Sequence, residues 1–338
     1  MNNIKFWFKA ARPQALPQSM MPAVLALCLA SEFEGFSLLP GLFAVFGVMM
    51  GHLGSNLLDD YFDYRKKCQN YREQMVHEGF RARISKCAYL NKGEATVRQL
   101  LVACIIFCAI SLSFGAIVWY YRGINIIYFA MIASFLGISY SGAPLRLSYH
   151  GFGEVIIALM FGPLLMTGVF YSACGSLSPL IIFVSIPVGL LVCNIVYVHS
   201  ILDFEPDRKV GKMTLAVLLN NKKYMLTALA VILFAPYLIV ALSLILYFKE
   251  SLCLILTFST LPLAIVLFRM MIEFTGNSQK KYEPERWMGP MPQWAKYREA
   301  GIDWFMIRWL LARNLLSLFC LSIIISWIIS MIFNHGIS

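Results

Sequence analysis

Two short acidic runs carry residue types and spacings that could do chemistry. One is Asn56-Leu-Leu-Asp59-Asp60-Tyr-Phe-Asp63, followed by Arg65-Lys66-Lys67. The other is Asp203-Phe-Glu205-Pro-Asp207, followed by Arg208, Lys209 and Lys212. Residues four apart share one face of a helix, so Asp59 with Asp63 and Asp203 with Asp207 each form a two-carboxylate comb. Like charges at that spacing repel by roughly a few tenths of a kcal/mol, and two combs brought together inside a bundle repel further. A divalent cation relieves this. Oxygen-only donors with no organised His or Cys favour Mg²⁺, with Mn²⁺ or Ca²⁺ as alternatives. Mg²⁺ takes one or two carboxylates and completes its octahedron with water and substrate phosphates. The adjoining Arg208, Lys209 and Lys212 suit the remaining phosphate oxygens. Solvated loop charges would account for one such cluster; two matching clusters on one membrane surface call for a function.

The elements that must position these runs follow from composition. Of 338 residues, 59% are hydrophobic and only 14% charged, against about 25% charged in a soluble globular chain. Mean hydropathy is +0.69. This excludes a disordered, collagenous or ordinary cytosolic protein and leaves a polytopic membrane protein. The net charge of +10 sits in short loops between apolar runs, which is how membrane orientation is encoded, so no nucleic-acid partner is expected. The nine cysteines form no CxxC pair and lie mostly inside apolar runs. They read as small core residues rather than disulfides or metal ligands.

Runs that can span need about 20 apolar residues. They are expected near 14–32, 37–58, 99–120, 124–141, 153–173, 177–201, 224–248, 251–274 and 309–333. The expected fold is an all-α polytopic membrane protein, a bundle of about nine transmembrane helices. The first run begins after Lys5, Lys9 and Arg12 and continues as a span, so no cleavable signal peptide is expected. With a cytoplasmic N-terminus, the external loops hold only Arg122 and Lys249 of the 28 Lys and Arg residues. The positive-inside rule therefore puts the N-terminus inside, in the cell (inner) membrane, with the active site at the cytoplasmic side. Residues 1–338 are expected to form one integral-membrane domain, with cytoplasmic motif loops 59–98 and 202–223 and a longer polar segment 275–306.

Spans 37–58 and 177–201 both run outside to inside, so the two acidic runs share one surface. A shift of 144 residues superposes Asp59 on Asp203 and Asp63 on Asp207, a weak sign of an internal repeat. A diphosphate held at the mouth of an apolar bundle fits a long hydrocarbon, its tail between helices and its head at the rim. Metal and basic residues would stabilise charge on a departing diphosphate. Aromatic faces would shield an allylic cation, and Tyr140, Phe161, Tyr171 and Tyr197 are candidates for that wall.

Over about residues 7–220 the sequence resembles the UbiA superfamily of intramembrane prenyltransferases. Ala11-Arg12-Pro13-Gln14-Ala15-Leu16-Pro17 is like the family's ARPxxLP opening, and Asp59-Asp60-Tyr61-Phe62-Asp63 is similar to its NDYxD. Tyr140-Ser-Gly-Ala-Pro144, Gly151-Phe-Gly153-Glu154 and Phe161-Gly162-Pro163-Leu164 look like the naphthoate-prenylating branch. The run from Asp203 and Asp207 through Gly211-Lys212 to Thr214-Leu215-Ala216 is the best match. The resemblance implies a helical bundle with a lipid-facing opening, and Mg²⁺-dependent C-prenylation of an aromatic acceptor by a polyprenyl diphosphate. In the naphthoate branch the acceptor is 1,4-dihydroxy-2-naphthoate, in menaquinone biosynthesis, and it loses its carboxylate as carbon dioxide. Carried over by position, Asp59, Asp63, Asp203 and Asp207 hold Mg²⁺–diphosphate, with Asp63, Asp203, Asp207 and Lys212 as the catalytic set. Asn56 and Asp60 support that shell, Lys209 joins Lys212 on phosphate, and Arg12 and Arg146 meet a phosphate or an acidic acceptor. The lipid bilayer is the only other partner implied; no obligate protein partner is inferred.

The sequence also departs from the family pattern. Asp59 stands where relatives carry Asn, and their Asn-Asn-x-Arg run before the second motif is His199-Ser200-Ile201-Leu202 here. The first departure adds a carboxylate; the second bears on the acceptor more than on the diphosphate site. Other acceptors therefore stay open: homogentisate, hydroxybenzoate, a tetrapyrrole alcohol or a glycerol phosphate lipid. A lone His at a helix end, such as His199, is more often packed than catalytic. The segment from Gly276 to Asp303 mixes charges and aromatics, which suits a membrane-surface loop more than a lid. A CDP-alcohol transferase would need a DGxxAR-type motif, which is absent. A carrier would place its carboxylates near the membrane midplane.

Overall fold

The structure, a computed structural model, describes residues 4–65, 87–246, 252–276 and 280–335. Residues 66–86 of the first motif loop, and Lys249, lie outside these. Among the described residues the chain is all-helical with no strand, and one isolated parallel bridge joins His150 to Met213. The helices are α1 (Ile4–Ala10), α2 (Pro17–Ala30), α3 (Leu38–Arg65), α4 (Ala88–Asn91), α5 (Val97–Arg122) and α6 (Asn125–Ser141). There follow α7 (Gly153–Cys174), α8 (Pro179–Leu202), α9 (Phe204–Lys209), α10 (Leu215–Leu219) and α11 (Lys222–Leu246). A 3₁₀ segment (Leu252–Thr260) leads into α12 (Leu261–Thr275), and α13 (Trp294–Glu299) and α14 (Asp303–His335) complete the chain.

Among the described residues, seven segments are long and apolar enough to cross a membrane: α3, α5, α7, α8, α11, Leu254–Thr275 and α14. Each of the other two expected spans meets a shorter apolar helix, α2 with 14 residues and α6 with 17, below the ~20 of a full crossing. Local chemistry explains several boundaries. Thr96 and Gln99 form a reciprocal capping box at the start of α5, satisfying N–H groups that a helix start leaves open. The Ser178 hydroxyl accepts the Leu180 N–H, and Pro179 begins α8 with the φ a helix needs.

Packing explains which helices are central. α8 buries residues on all its faces, from Ile181 to Leu202, whereas α5 and α6 expose Val102, Ile105, Ile106, Met131 and Phe135, the apolar exterior that lipid requires. Trp119, Tyr120, Tyr121 and Tyr128 are exposed together around the α5–α6 turn, as expected at an interfacial belt. At that rim, Arg122 donates to the carbonyls of Ser172 (2.8 Å), Gly35 (3.0 Å) and Ala173, so the lone expected external-loop cation among the described residues knits three turns. α7 and α8 cross at backbone contact. A Cβ on Gly162 would sit 2.5 Å from Gly189 Cα and 2.7 Å from the Ser185 carbonyl oxygen, an approach only small residues allow. That crossing coincides with a π-helical turn at Met160–Leu164 containing Pro163, whose ring cannot accommodate ordinary α-helical bonding.

The two acidic runs differ in backbone. Asp59 and Asp63 lie on the continuous helix α3, but α8 stops at Leu202 and Asp203 joins it to the short α9 that carries Asp207. The 144-residue correspondence is one of spacing, not of unbroken helix. Buried apolar residues form a large cluster around α2, α7, α8, α11, α12 and α14 and a smaller one around α3–α5. Side chains from both units line the cavity described next.

Candidate active site

A left-handed Arg12 (φ 59°) turns the chain from α1 into a 3₁₀ turn at Pro13–Ala15 and aims its guanidinium at α3. Its Nη2 donates to the Asn56 carbonyl at 2.7 Å, and Asn56 Nδ2 returns a 2.9 Å bond to the Ala11 carbonyl. The same Nη2 lies 3.1 Å from Asp60 Oδ1 and 3.6 Å from Asp59 Oδ2. Asp60 is only 2% exposed, and Tyr89 from α4 donates to its Oδ2 at 3.2 Å. Burial alone would disfavour the Arg12 charge, but Asp60 and then Asp59 outweigh it, so the guanidinium pKa rises. Burial and then the Asp60 charge push the Tyr89 pKa upward, which keeps that hydroxyl a donor. Asp60 is therefore tied into an ion pair beneath the site.

Asp59 and Asp63 project from the same helix toward two further hydroxyls. Ser141 Oγ donates to Asp59 Oδ1 at 2.6 Å, and Tyr149 OH donates to Asp63 Oδ1 at 2.6 Å. Tyr149 also joins the first motif to the second. Its carbonyl accepts the Met213 N–H at 3.3 Å, and the neighbouring Lys212 N–H donates to the Asp207 carbonyl at 2.9 Å. Lys212 Nζ lies 5.6 Å from the centre of the Tyr149 ring.

Asp59, Asp60, Asp63, Asp207, Lys212, Arg12 and Asn56 all line one cavity of about 830 Å³, within the roughly 300–1,000 Å³ usual for ligand sites. Asp63 and Asp207 thus line one space. The lining also includes apolar and aromatic side chains, among them Tyr140, Ile157, Met160, Phe161 and Ile195. Three expected site residues are not brought to this wall. Asp203 is fully buried at the α8–α9 junction, its Oδ2 3.1 Å from His199 Nε2. Lys209 is exposed on α9. Arg146 is half-buried in a left-handed turn (φ 43°), where its carbonyl accepts the Tyr149 N–H at 2.8 Å and so shapes the turn that carries Tyr149. Of the four aromatic candidates, Tyr140 and Phe161 line the cavity. Tyr171 instead bonds Asn125 at the far rim, and the buried Tyr197 donates to the Met225 carbonyl.

Several lining residues escaped the sequence reading. Tyr89, Ser141, Ser148 and Tyr149 had no motif signal of their own, although Ser141 follows Tyr140 in a run already noted. His199 lines the cavity as well as packing edge-on to Phe305 at 5.1 Å. The 275–306 segment is not merely a surface loop, because Pro292, Gln293, Tyr297 and Ile302 line the same cavity. Buried Asn314 and Arg313 hold it there, donating to the carbonyls of Met288 (2.8 Å) and Pro290 (2.9 Å).

Among the described residues no three His, Cys, Asp or Glu side chains converge closely enough to hold a metal alone. Mg²⁺ needs only one or two carboxylates, with phosphate and water completing its shell. Asp59, Asp63 and Asp207 line the same cavity and offer oxygen donors of the kind that requirement calls for.

Fold and site together define a multi-pass membrane protein with an acidic cavity opening among apolar helices. Residues 19–291 match the UbiA prenyltransferase family, and the chain belongs to that family. It is 25% identical over 221 residues to the 1,4-dihydroxy-2-naphthoate octaprenyltransferase of Bacillus subtilis, covering 64% of this chain and 66% of that one. It is 28% identical over 222 residues to UbiA prenyltransferase domain-containing protein 1 of Dictyostelium discoideum, covering 63% of each. The chain thus spans just under two thirds of the length of these two relatives. A UbiA homolog from Archaeoglobus fulgidus, solved bound to GPP and Mg²⁺, shares the fold with a TM-score of 0.57 at 15% identity, covering 94% of this chain and 99% of that chain.

Proposed function

We propose that this protein transfers a polyprenyl group from a polyprenyl diphosphate to an aromatic acceptor, in a reaction dependent on Mg²⁺, with 1,4-dihydroxy-2-naphthoate as the acceptor. One observation carries the reading: carboxylates of both acidic motifs, Arg12 and Lys212 line one cavity together with apolar and aromatic side chains, among them Tyr140, Ile157, Met160, Phe161 and Ile195. The relatives named as naphthoate prenyltransferases support the acceptor, and the archaeal homolog solved with GPP and Mg²⁺ supports the donor and the metal.

In this reading Asp59, Asp63 and Asp207 supply the carboxylates by which Mg²⁺–diphosphate is held, and Asp203 braces the second motif through His199. Bound Mg²⁺ would neutralise charge on the diphosphate. Lys212 and Arg12 contribute positive charge where the leaving group develops negative charge. Arg12 Nε has no acceptor among the described residues, so a donor remains for a phosphate oxygen. The allylic C–O bond breaks with its electron pair going to diphosphate. The cation left behind is shielded by the Tyr140 and Phe161 rings and is captured by a carbon of the acceptor ring. The ring then regains aromaticity by releasing carbon dioxide or a proton.

A second acceptor class has its own support. His199 reaches the cavity at the position where the sequence departs from the family's Asn-Asn-x-Arg run. That change bears on homogentisate, hydroxybenzoate, a tetrapyrrole alcohol or a glycerol phosphate lipid as alternatives. The deciding experiment incubates purified protein with labelled farnesyl or geranylgeranyl diphosphate and a panel of acceptors. Diphosphate release that depends on dihydroxynaphthoate supports the first reading, and turnover only with another acceptor replaces it. In this reading the reaction runs on the cytoplasmic side of the cell membrane, which the excess of basic residues in the loops on that side supports. Labelling of single cysteines at the two rims from one side of sealed vesicles checks that orientation.

A further inference from the structure

Glu154 is the one buried carboxylate on the cavity wall, among the described residues, that belongs to neither acidic motif. It is 2% exposed in the first turn of α7. Its Oε1 accepts two hydrogen bonds, from Ser200 Oγ at 2.6 Å and from the Leu215 N–H at 3.2 Å. These bonds fix the carboxylate between α7, α8 and the start of α10. Leu215 lies three residues beyond Lys212 in the chain, and Lys212, Thr214 and Glu154 all line the cavity.

Two neighbours give this corner the form of a subsite. A Cβ on Gly153, the residue before Glu154, would lie 3.5 Å from the edge of the Tyr140 ring and 3.4 Å from Ser148 Cβ, so the backbone that carries Glu154 packs against both, and all three residues line the cavity. Ser148 is 2% exposed, lines the cavity, and its Oγ has no hydrogen-bond partner among the described residues. A buried hydroxyl left unsatisfied is costly, and a ligand oxygen would satisfy it.

We propose that Glu154 and Ser148 form the subsite for the acceptor's ring hydroxyl, and that Glu154 takes its proton as the carbon–carbon bond forms. This rests on the prenyl-transfer reading above. The O–H bond breaks toward the Glu154 carboxylate and its electron pair enters the ring. A ring carbon bonds the allylic carbon, and the allylic C–O pair leaves with diphosphate. The Tyr140 face supports the flat ring, and the Ser148 hydroxyl donates to an acceptor oxygen. Ser200, within the departure before the second motif, is a positioning residue that holds the base.

The test uses full-length protein and a series of phenolic and naphtholic acceptors of graded hydroxyl acidity at one pH. In Glu154→Gln the amide oxygen can still accept from Ser200 and Leu215, so the scaffold is kept while the base is lost. The expected result is a fall in kcat of roughly 10²-fold with weakly acidic acceptors, shrinking steadily as the acceptor ionises by itself. Binding of labelled prenyl diphosphate should be unchanged. Ser148→Ala should raise the KM for acceptor several-fold with the KM for prenyl diphosphate unchanged. A uniform loss across the acceptor series, or no loss, overturns the base assignment. Should Glu154→Gln not fold, the wild-type series decides: rates flat across acceptor acidity support a base, and rates that track only the ionised fraction overturn it. Wild-type protein that turns over no aromatic acceptor refutes the underlying reading instead.

Discussion

The Tyr149 hydroxyl donates a 2.6 Å hydrogen bond to Asp63 while the Tyr149 carbonyl accepts from the chain just beyond Lys212. One residue, 86 positions from Asp63, thereby fixes the first acidic motif relative to the second. A hydrogen bond to a charged group contributes about 1.5–3 kcal/mol. Tyr149→Phe should therefore weaken prenyl diphosphate binding by roughly 10–100-fold without preventing membrane insertion. Titration with labelled diphosphate checks this, and unchanged affinity would show that Asp63 is held by other means.

The metal requirement is tested by removal. Turnover should stop with EDTA and return with Mg²⁺, and Mn²⁺ should substitute. Asp63→Asn and Asp207→Asn should each lower kcat by at least about 10²-fold, the scale of losing a transition-state electrostatic contact. Near-normal rates in both variants would falsify the metal assignment.

Arg12 and Asp60 form a largely buried pair, and removing one partner of such a pair costs roughly 3–5 kcal/mol. Arg12→Ala should lower the thermal midpoint in detergent. Adding Asp60→Asn should recover part of that loss, because the stranded charge disappears. If the double variant is no more stable than Arg12→Ala alone, the pair is not what holds this corner. Since its pKa is raised by Asp60 and Asp59, Arg12 stays protonated across the physiological range, and the pair should show no loss of strength between neutral and mildly alkaline pH.

At the α7–α8 crossing there is no room for a side chain. Gly162→Val should destabilise by about 1–3 kcal/mol or more, read as a lower melting midpoint, because the new Cβ would meet Gly189 backbone at 2.5 Å. A wild-type midpoint would mean that the helices separate at little cost.

The 280–302 segment is held over the cavity by Asn314 and Arg313. Asn314→Ala strands the Met288 carbonyl and loosens that tether by about 1–3 kcal/mol. Limited proteolysis within the segment should accelerate while α14 remains protected. Equal protease resistance would show that Arg313 alone suffices.

Much of this protein was legible in one dimension. Hydrophobic runs of crossing length betray helices because lipid forces the backbone to satisfy its own hydrogen bonds. The spacing of Asp59 with Asp63 declares a shared helical face before any contact is known. Proline and capping residues likewise mark α5 and α8 where they begin. The sequence reading stopped where the functional groups depend on distant chain segments. Tyr89, Ser141 and Tyr149 are ordinary residue types, and only packing turns them toward Asp60, Asp59 and Asp63. Arg146 and Lys209 share the charge type of Arg12 and Lys212, yet a left-handed turn and an exposed helix face keep them off the cavity wall. The helix break at Asp203 buried a carboxylate that equal spacing had made equivalent to Asp59. Composition and periodicity report how each segment meets lipid or water, a property of neighbours along the chain. Which side chains converge depends on how helices cross, and that is settled by tertiary contacts such as Gly162 on Gly189.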